Sequence, residues 1–173
     1  KNNSALTIAC ELCEDLWVPV PPSSRHVLAG ATVIVNLSAG NEVIGKADYR
    51  RNLVKSHSAR SLCAYVYANA GKDESTQDMI FAGHNLIAEN GTLLSQSTLF
   101  SNQTIFADVD VERLCQERRK TTSFGFSANN NTFNKKYTTI QIEFAEPKTY
   151  DFSRYVDAHP FVPSKLDERT QRC

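Results

Sequence analysis

What the sequence lacks narrows it first. It has no excess of either charge: Lys plus Arg and Asp plus Glu each number 19 in 173 residues. No net field therefore draws it to nucleic acid or to an anionic membrane. No apolar run nears the ~20 residues that span a bilayer, and no signal-peptide core follows the opening Lys1-Asn2-Asn3-Ser4. There is no glycine-rich phosphate loop, no internal repeat, and no cysteine spacing of a metal site. Cys10 and Cys13 form a Cys-x-x-Cys with no second pair behind it, which speaks against zinc. The Asn-x-Ser/Thr sequons, Asn36-Leu37-Ser38 and Asn90-Gly91-Thr92 among them, read as chance, since Asn36 ends an apolar strand. What remains is a chain of one-domain length, 41% hydrophobic, expected to be reduced and cytoplasmic.

The stretch that is there in place of these features is Leu6–Pro22, LTIACELCEDLWVPVPP. Leu6–Cys10 has the composition of a buried strand. Val18-Pro19-Val20-Pro21-Pro22 cannot continue a sheet, because proline lacks the amide donor and fixes an extended backbone. Cys13 is thus expected where a core strand stops, the place at which α/β proteins set reactive groups. Its neighbours Glu11, Glu14 and Asp15 are acids, which oppose a thiolate as a general rule. As a nucleophile it needs a base and a cation from elsewhere. The alternative is an inert strand-end thiol.

Beyond the proline exit, Ser23-Ser24 offers an N-cap to a short helix over Arg25–Ala29, stopped at Gly30. Thr32–Leu37 is a β-branched strand delivering the small polar loop Ser38–Asn41. Lys46–Leu62 has a helical period in Leu53, Val54, His57 and Leu62, with Arg50, Arg51 and Lys55 off that face. His57 has no local acid or nucleophile and reads as a helix-face histidine. Cys63–Ala68 is a third strand. Glu74-Ser75-Thr76 lacks the strand-to-helix elbow of a catalytic serine. Met79–His84, Asn85–Glu89 and Leu93–Ser97 predict strands around an Asn90-Gly91 turn. Thr104–Val109 predicts another strand, Asp110 caps a helix over Val111–Lys120, and Thr138–Phe144 alternates as a last strand.

The segments Glu11–Trp17 with Pro21-Pro22-Ser23, Asn36–Glu42 (NLSAGNE), Ala64–Tyr67, Gly71–Asp78 (GKDESTQD), Gly83-His84 and Ile87–Gly91 bring a family into view. In this order they resemble the nucleophile region of the glutaminase domain of glutamine-dependent NAD synthetases, within the nitrilase superfamily of thiol amidohydrolases. The match runs roughly from Leu6 to Phe100. It implies an α/β fold, the second half of a nitrilase-type αββα sandwich. Residues 1–146 would be the C-terminal part of that domain, and 147–173 an irregular tail toward an absent synthetase domain.

The resemblance also implies chemistry. Cys13 would attack the side-chain amide of glutamine, and ammonia would pass to a synthetase domain using ATP and Mg²⁺ to amidate nicotinic acid adenine dinucleotide. The family's catalytic Glu and Lys lie upstream of the nucleophile, and neither motif is present among the 12 residues before Cys13. The chain alone is therefore expected to be inactive and to need the missing N-terminal half of its domain. Glu14 would bind the α-ammonium of glutamine; otherwise it is a solvated carboxylate. Family glutamine contacts fall at Gly40, usually Ser, whose contact must then come from backbone, and at Lys46, which could equally be a solvated helix-start lysine. The implied partners are glutamine, the missing parts of the parent, and further copies of it. Two other readings stand beside this one: a non-catalytic structural fragment, and another nitrilase-superfamily amidase.

Overall fold

The computed structural model describes residues 6–130, 137–143, 149, 151–156, 158, 162 and 170. Strands β1 (Ile8–Leu12), β2 (Val33–Ser38), β3 (Ala64–Asn69), β4 (Leu86–Glu89) and β5 (Thr92–Gln96) form one sheet in that order. β1, β2 and β3 are parallel, while β4 and β5 join antiparallel. The parallel connections are made by α1 (Pro22–Leu28) and α2 (Lys46–Arg60), as parallel pairing requires a long crossover. Two further helices follow, α3 (Val111–Lys120) and α4 (Thr122–Asn129). None of the described helices is long and apolar enough to cross a membrane.

Strand alternation divides the sheet into two unlike faces. One face carries Ile34, Tyr65, Tyr67, Leu86 and Ala88, all buried against Leu16, Val27 of α1 and Val54 of α2. The opposite face carries Ile8, Cys10, Leu12 and Leu37. There Ile8, Leu12 and Leu37 are 59%, 61% and 62% exposed, so this side is apolar and open among the described residues.

The first three strands, α2 and the hairpin around Asn90-Gly91 fall where the pattern predicts, within a few residues. Several expectations are corrected. α1 starts one turn early, with Pro22 in its first turn and no side-chain cap; Ser23 is occupied elsewhere. Residues 104–109 and 138–143 are not strands, and Met79–His84 is a loop, because a strand needs a neighbour to take its hydrogen bonds. Phe144 lies outside the described residues, as does most of 147–173. In that last stretch Arg154 is nonetheless tied by two 2.7 Å bonds to the carboxylate of Glu89. α3 begins as predicted, with Asp110 Oδ1 accepting from the Arg113 amide at 2.9 Å. α4 was not foreseen, its Thr-Ser-Phe-Gly-Phe run having weak helical preference.

Gly91 closes the hairpin in the left-handed region at φ +85, and a Cβ there would meet Ala59 of α2 at 2.9 Å. Its amide also donates to Ser58 Oγ at 3.0 Å, so hairpin and helix cannot separate to make room. Gly91→Ala should cost about 1–3 kcal/mol in urea unfolding. An unchanged midpoint would show that the hairpin is not seated on α2 in this way.

Candidate active site

The three parallel strands end at one rim, with Leu12 beside Leu37 and Ser38 beside Asn69. Cys13 is the first residue past β1 and adopts φ +46, a conformation that non-glycine residues rarely take. Such a residue costs of order 1–3 kcal/mol and persists only where its surroundings over-determine it. Here they do. Asn36 Nδ2 donates to the Cys13 carbonyl at 3.3 Å, and the Leu12 amide donates to Asp15 Oδ2 at 2.8 Å. One residue earlier, Glu11 is buried and its Oε2 accepts from the Ser23 amide at 2.8 Å, fixing the far end of the proline exit. Its other oxygen accepts from the Tyr65 hydroxyl, whose oxygen in turn accepts from Asn36 Nδ2 at 3.0 Å. Burial, then the Glu11 charge, pushes the Tyr65 phenol far up and keeps it a donor.

The thiol of Cys13 accepts from Ser38 Oγ at 3.5 Å, and Ser38 Oγ bonds Tyr67 Oη at 2.6 Å. Gly40 sits over this pair: a Cβ on it would lie 3.3 Å from Tyr67 Oη and 3.5 Å from Ser38 Oγ. Its own backbone is engaged on both sides by Asn69, N–H to Oδ1 at 2.9 Å and C=O from Nδ2 at 3.0 Å. Lys46 Nζ donates to Asn41 Oδ1 at 2.5 Å and lies 5.5 Å from the Trp17 ring centroid. Trp17 itself stacks on Tyr49 with centroids 5.3 Å apart. Thus Gly40 shares neighbours with Cys13, and Lys46 reaches the turn that carries Cys13 through Trp17. Glu14 is exposed and has no hydrogen bond to a described residue.

A polar layer beneath the rim was missed in the sequence. Arg50, predicted off the buried face of α2, is 0% exposed. Its Nη1 bonds Glu42 Oε2 and His84 Nδ1, each at 2.9 Å, and its guanidinium carbon is 5.9 Å from the Tyr67 ring centroid. Burial and the Arg50 charge hold His84 down at about 4, so it is neutral and accepts. His57, also buried, pairs through Nε2 with Ser23 Oγ at 2.8 Å and through Nδ1 with Arg60 at 3.1 Å. Burial, assisted by Arg60, lowers its pKa too. It is a structural histidine. The one signal for Arg50 was its spacing, four residues before Val54 and seven before His57 on one helical face.

No family model matches the sequence. A glutamine-dependent NAD(+) synthetase of Mycobacterium tuberculosis is 43% identical over 170 residues, which cover 94% of this chain and 25% of that protein. The synthetase of Mycobacterium leprae is 40% identical over 172 residues, with 97% and 25% covered. Over nearly its whole length the chain is similar to one part of these glutamine-dependent NAD(+) synthetases. It spans about a quarter of the length of these relatives. The fold is that of the nitrilase superfamily: a carbon-nitrogen hydrolase from Helicobacter pylori aligns at TM-score 0.59 and 18% identity, over 76% of this chain and 49% of its own. Saccharomyces cerevisiae Nit3, a member of that superfamily, aligns at 0.55 and 17%, over 65% and 41%. The five-stranded sheet with its helical layer thus has the nitrilase-type α/β fold that the resemblance implied.

The two lowered histidines fix a sign for pH. A histidine that ionises less readily folded than unfolded adds stability in full above its unfolded pKa of about 6.5. That stability is lost as pH falls toward the folded value, about 4 for His84. Urea midpoints should therefore drop between pH 6.5 and 4, and His84→Asn should flatten the slope in that window. An equally steep slope in the variant would contradict a buried neutral His84.

Proposed function

We propose that this chain is the nucleophile-bearing part of a glutaminase domain, and that Cys13 is its nucleophile. The observation that carries the reading is the backbone of Cys13: a strained left-handed residue at a parallel-strand end, braced on both sides and half-buried at the rim. Strain held in place at such a position is how folds present a reacting atom. The likeness to glutamine-dependent NAD(+) synthetases supports the reading, and the chemistry below is argued from it.

In this mechanism Sγ attacks the side-chain carboxamide carbon of glutamine. A carboxylate base takes the thiol proton, a tetrahedral oxyanion forms, and the amide nitrogen leaves as ammonia carrying that proton. Water then adds to the thioester, releasing glutamate and restoring the thiol. Among the described residues the hydrogen-bond partner of Sγ is Ser38, a hydroxyl. We therefore assign the base and the oxyanion cation, a Glu and a Lys, to sequence outside these 173 residues, and infer that the chain alone is inactive. Glu14, exposed at the turn, is assigned the α-ammonium of glutamine and Lys46 its α-carboxylate. Gly40 would contribute space more than a hydrogen bond, its backbone being paired with Asn69.

Residues 1–146 would then be the C-terminal part of the glutaminase domain, and 147–173 a connection to a synthetase domain in an oligomeric parent located in the cytoplasm. ATP and Mg²⁺ belong in this reading to that synthetase domain. No group of three His, Cys, Asp or Glu that could hold a metal occurs among the described residues, and no step on this chain runs through either group. A glutamine-like electrophile applied to the intact protein, followed by peptide mapping, should modify Cys13. An adduct on Cys63 or Cys115 with Cys13 untouched would refute the assignment. Ammonia release from glutamine by the isolated chain should stay at background, since loss of the oxyanion donor and of the base each costs on the order of 100-fold or more.

A further inference from the structure

Ser38, Tyr67 and Arg50 have no part in the scheme above, yet they run in line from the thiol into the core. Ser38 Oγ lies 3.5 Å from Cys13 Sγ and 2.6 Å from Tyr67 Oη. The guanidinium of Arg50 lies against the Tyr67 ring, fully buried, with Nε and Nη2 meeting no hydrogen-bond partner among the described residues. We propose that Ser38, Tyr67 and Arg50 form a positioning chain that holds the Cys13 sulfur for attack and steadies the negative charge it gains.

The direction of the chain follows from its far end. A guanidinium only donates and cannot lose its proton in a protein. A positive charge buried against Tyr67 therefore favours electron density on the phenol oxygen and leaves the hydroxyl proton to point away, toward Ser38. Ser38 Oγ accepts that proton in a hydrogen bond and has its own left for Cys13, the donor sense its geometry already has. Every donor then points at sulfur. Such an arrangement strengthens as charge develops on the sulfur and weakens when it is lost, so it acts on the reacting state more than on the resting one. Burial raises the Tyr67 pKa while Ser38 and Arg50 oppose that rise, so Tyr67 keeps its proton and serves as a relay of polarity, not as a base.

Three features of the fold serve this line. Register brings Ser38 and Tyr67 onto the same face of β2 and β3. Glu42 and His84 engage one nitrogen of Arg50, and among the described residues the other two meet no partner, so the charge is not spent on a second carboxylate there. Gly40 leaves the pair room, since a Cβ there would lie 3.3 Å from Tyr67 Oη and a side chain would require the hydroxyl to shift by a few tenths of an ångström.

The inference rests on Cys13 as the nucleophile, and its test separates the two. In the intact protein, the rate of iodoacetamide addition to each cysteine is followed by mass spectrometry, alongside kcat and KM for ammonia release from glutamine. Ser38→Ala and Tyr67→Phe should each slow addition at Cys13 about five- to tenfold, the loss expected for one ordinary hydrogen bond. The kcat should fall by a similar factor with KM little changed, and Ser38→Thr should restore both. Tyr67→Phe keeps the ring over Arg50, so it reports on the hydroxyl even if Arg50→Gln fails to fold. Cys13 addition rates within about twofold of each other in all folded variants would overturn the chain while leaving the nucleophile intact. Absence of ammonia release in the unsubstituted protein would instead overturn the glutaminase reading, and the iodoacetamide rates would still decide the chain.

Discussion

The rim depends on one buried carboxylate. Glu11 sits on the helix-covered face of the edge strand, 3% exposed, where an unpaired charge would be strongly unfavourable. It is held by the Ser23 amide at the start of α1 and by the Tyr65 hydroxyl from β3. Two elements far apart in sequence are thereby fastened to the residue just before the turn. Cys13 through Pro21 becomes a loop clamped at both ends, and the left-handed Cys13 is what fits between the clamps. Removing the Glu11 carboxylate would leave a donor at α1 and a phenol proton without acceptors, each a cost of about 1–3 kcal/mol. The strain at Cys13 and the acceptor that sustains it therefore belong to one cooperative unit.

The acids around Cys13 show how sequence proximity misleads. Glu11, Glu14 and Asp15 look alike in the chain, and all three would oppose a thiolate. In the fold they separate into different work: Glu11 clamps from below, Asp15 accepts from the Leu12 amide, and only Glu14 faces solvent free of described partners. Alternation in the strand turns Glu11 toward the core, while Glu14 and Asp15 lie beyond it on the short helical turn Cys13–Trp17, where Asp15 reaches back to the end of β1.

The parallel strands, α2, α3 and the Asn90-Gly91 hairpin were legible because their signals are local: β-branched runs, a helical period, an Asp cap, a turn dipeptide. The position of Cys13 was legible for the same reason, a strand meeting prolines. What was not legible is set by partners distant in sequence. Thr104–Val109 and Thr138–Phe144 have strand composition, but pairing is decided by neighbours, not by composition. Arg50 was misplaced because charge predicts exposure unless a partner is known, and its partners Glu42 and His84 lie 8 and 34 residues away. Ser23 has the residue type of a helix cap, yet the Glu11 carboxylate and the His57 ring claimed its amide and hydroxyl.

The two ends of the parallel strands are built for opposite purposes. At the amino ends Arg118 of α3 donates to the carbonyls of Leu62 at 3.0 Å and Ala31 at 2.7 Å, which stitches β2 and β3 at their starts. Cys63 beside it is buried and its thiol is pushed up to about 12, which suits an inert packing residue. At the carboxyl ends the sheet instead carries hydroxyls, amides and a strained cysteine. The third surface, the open face with Ile8, Leu12 and Leu37, is apolar on a scale that water does not favour. That face begins at the residue next to Cys13, so whatever covers it would also form a wall of the rim. Covering that face and completing the site would then be a single event, because Leu12 faces one and Cys13 the other across one peptide bond.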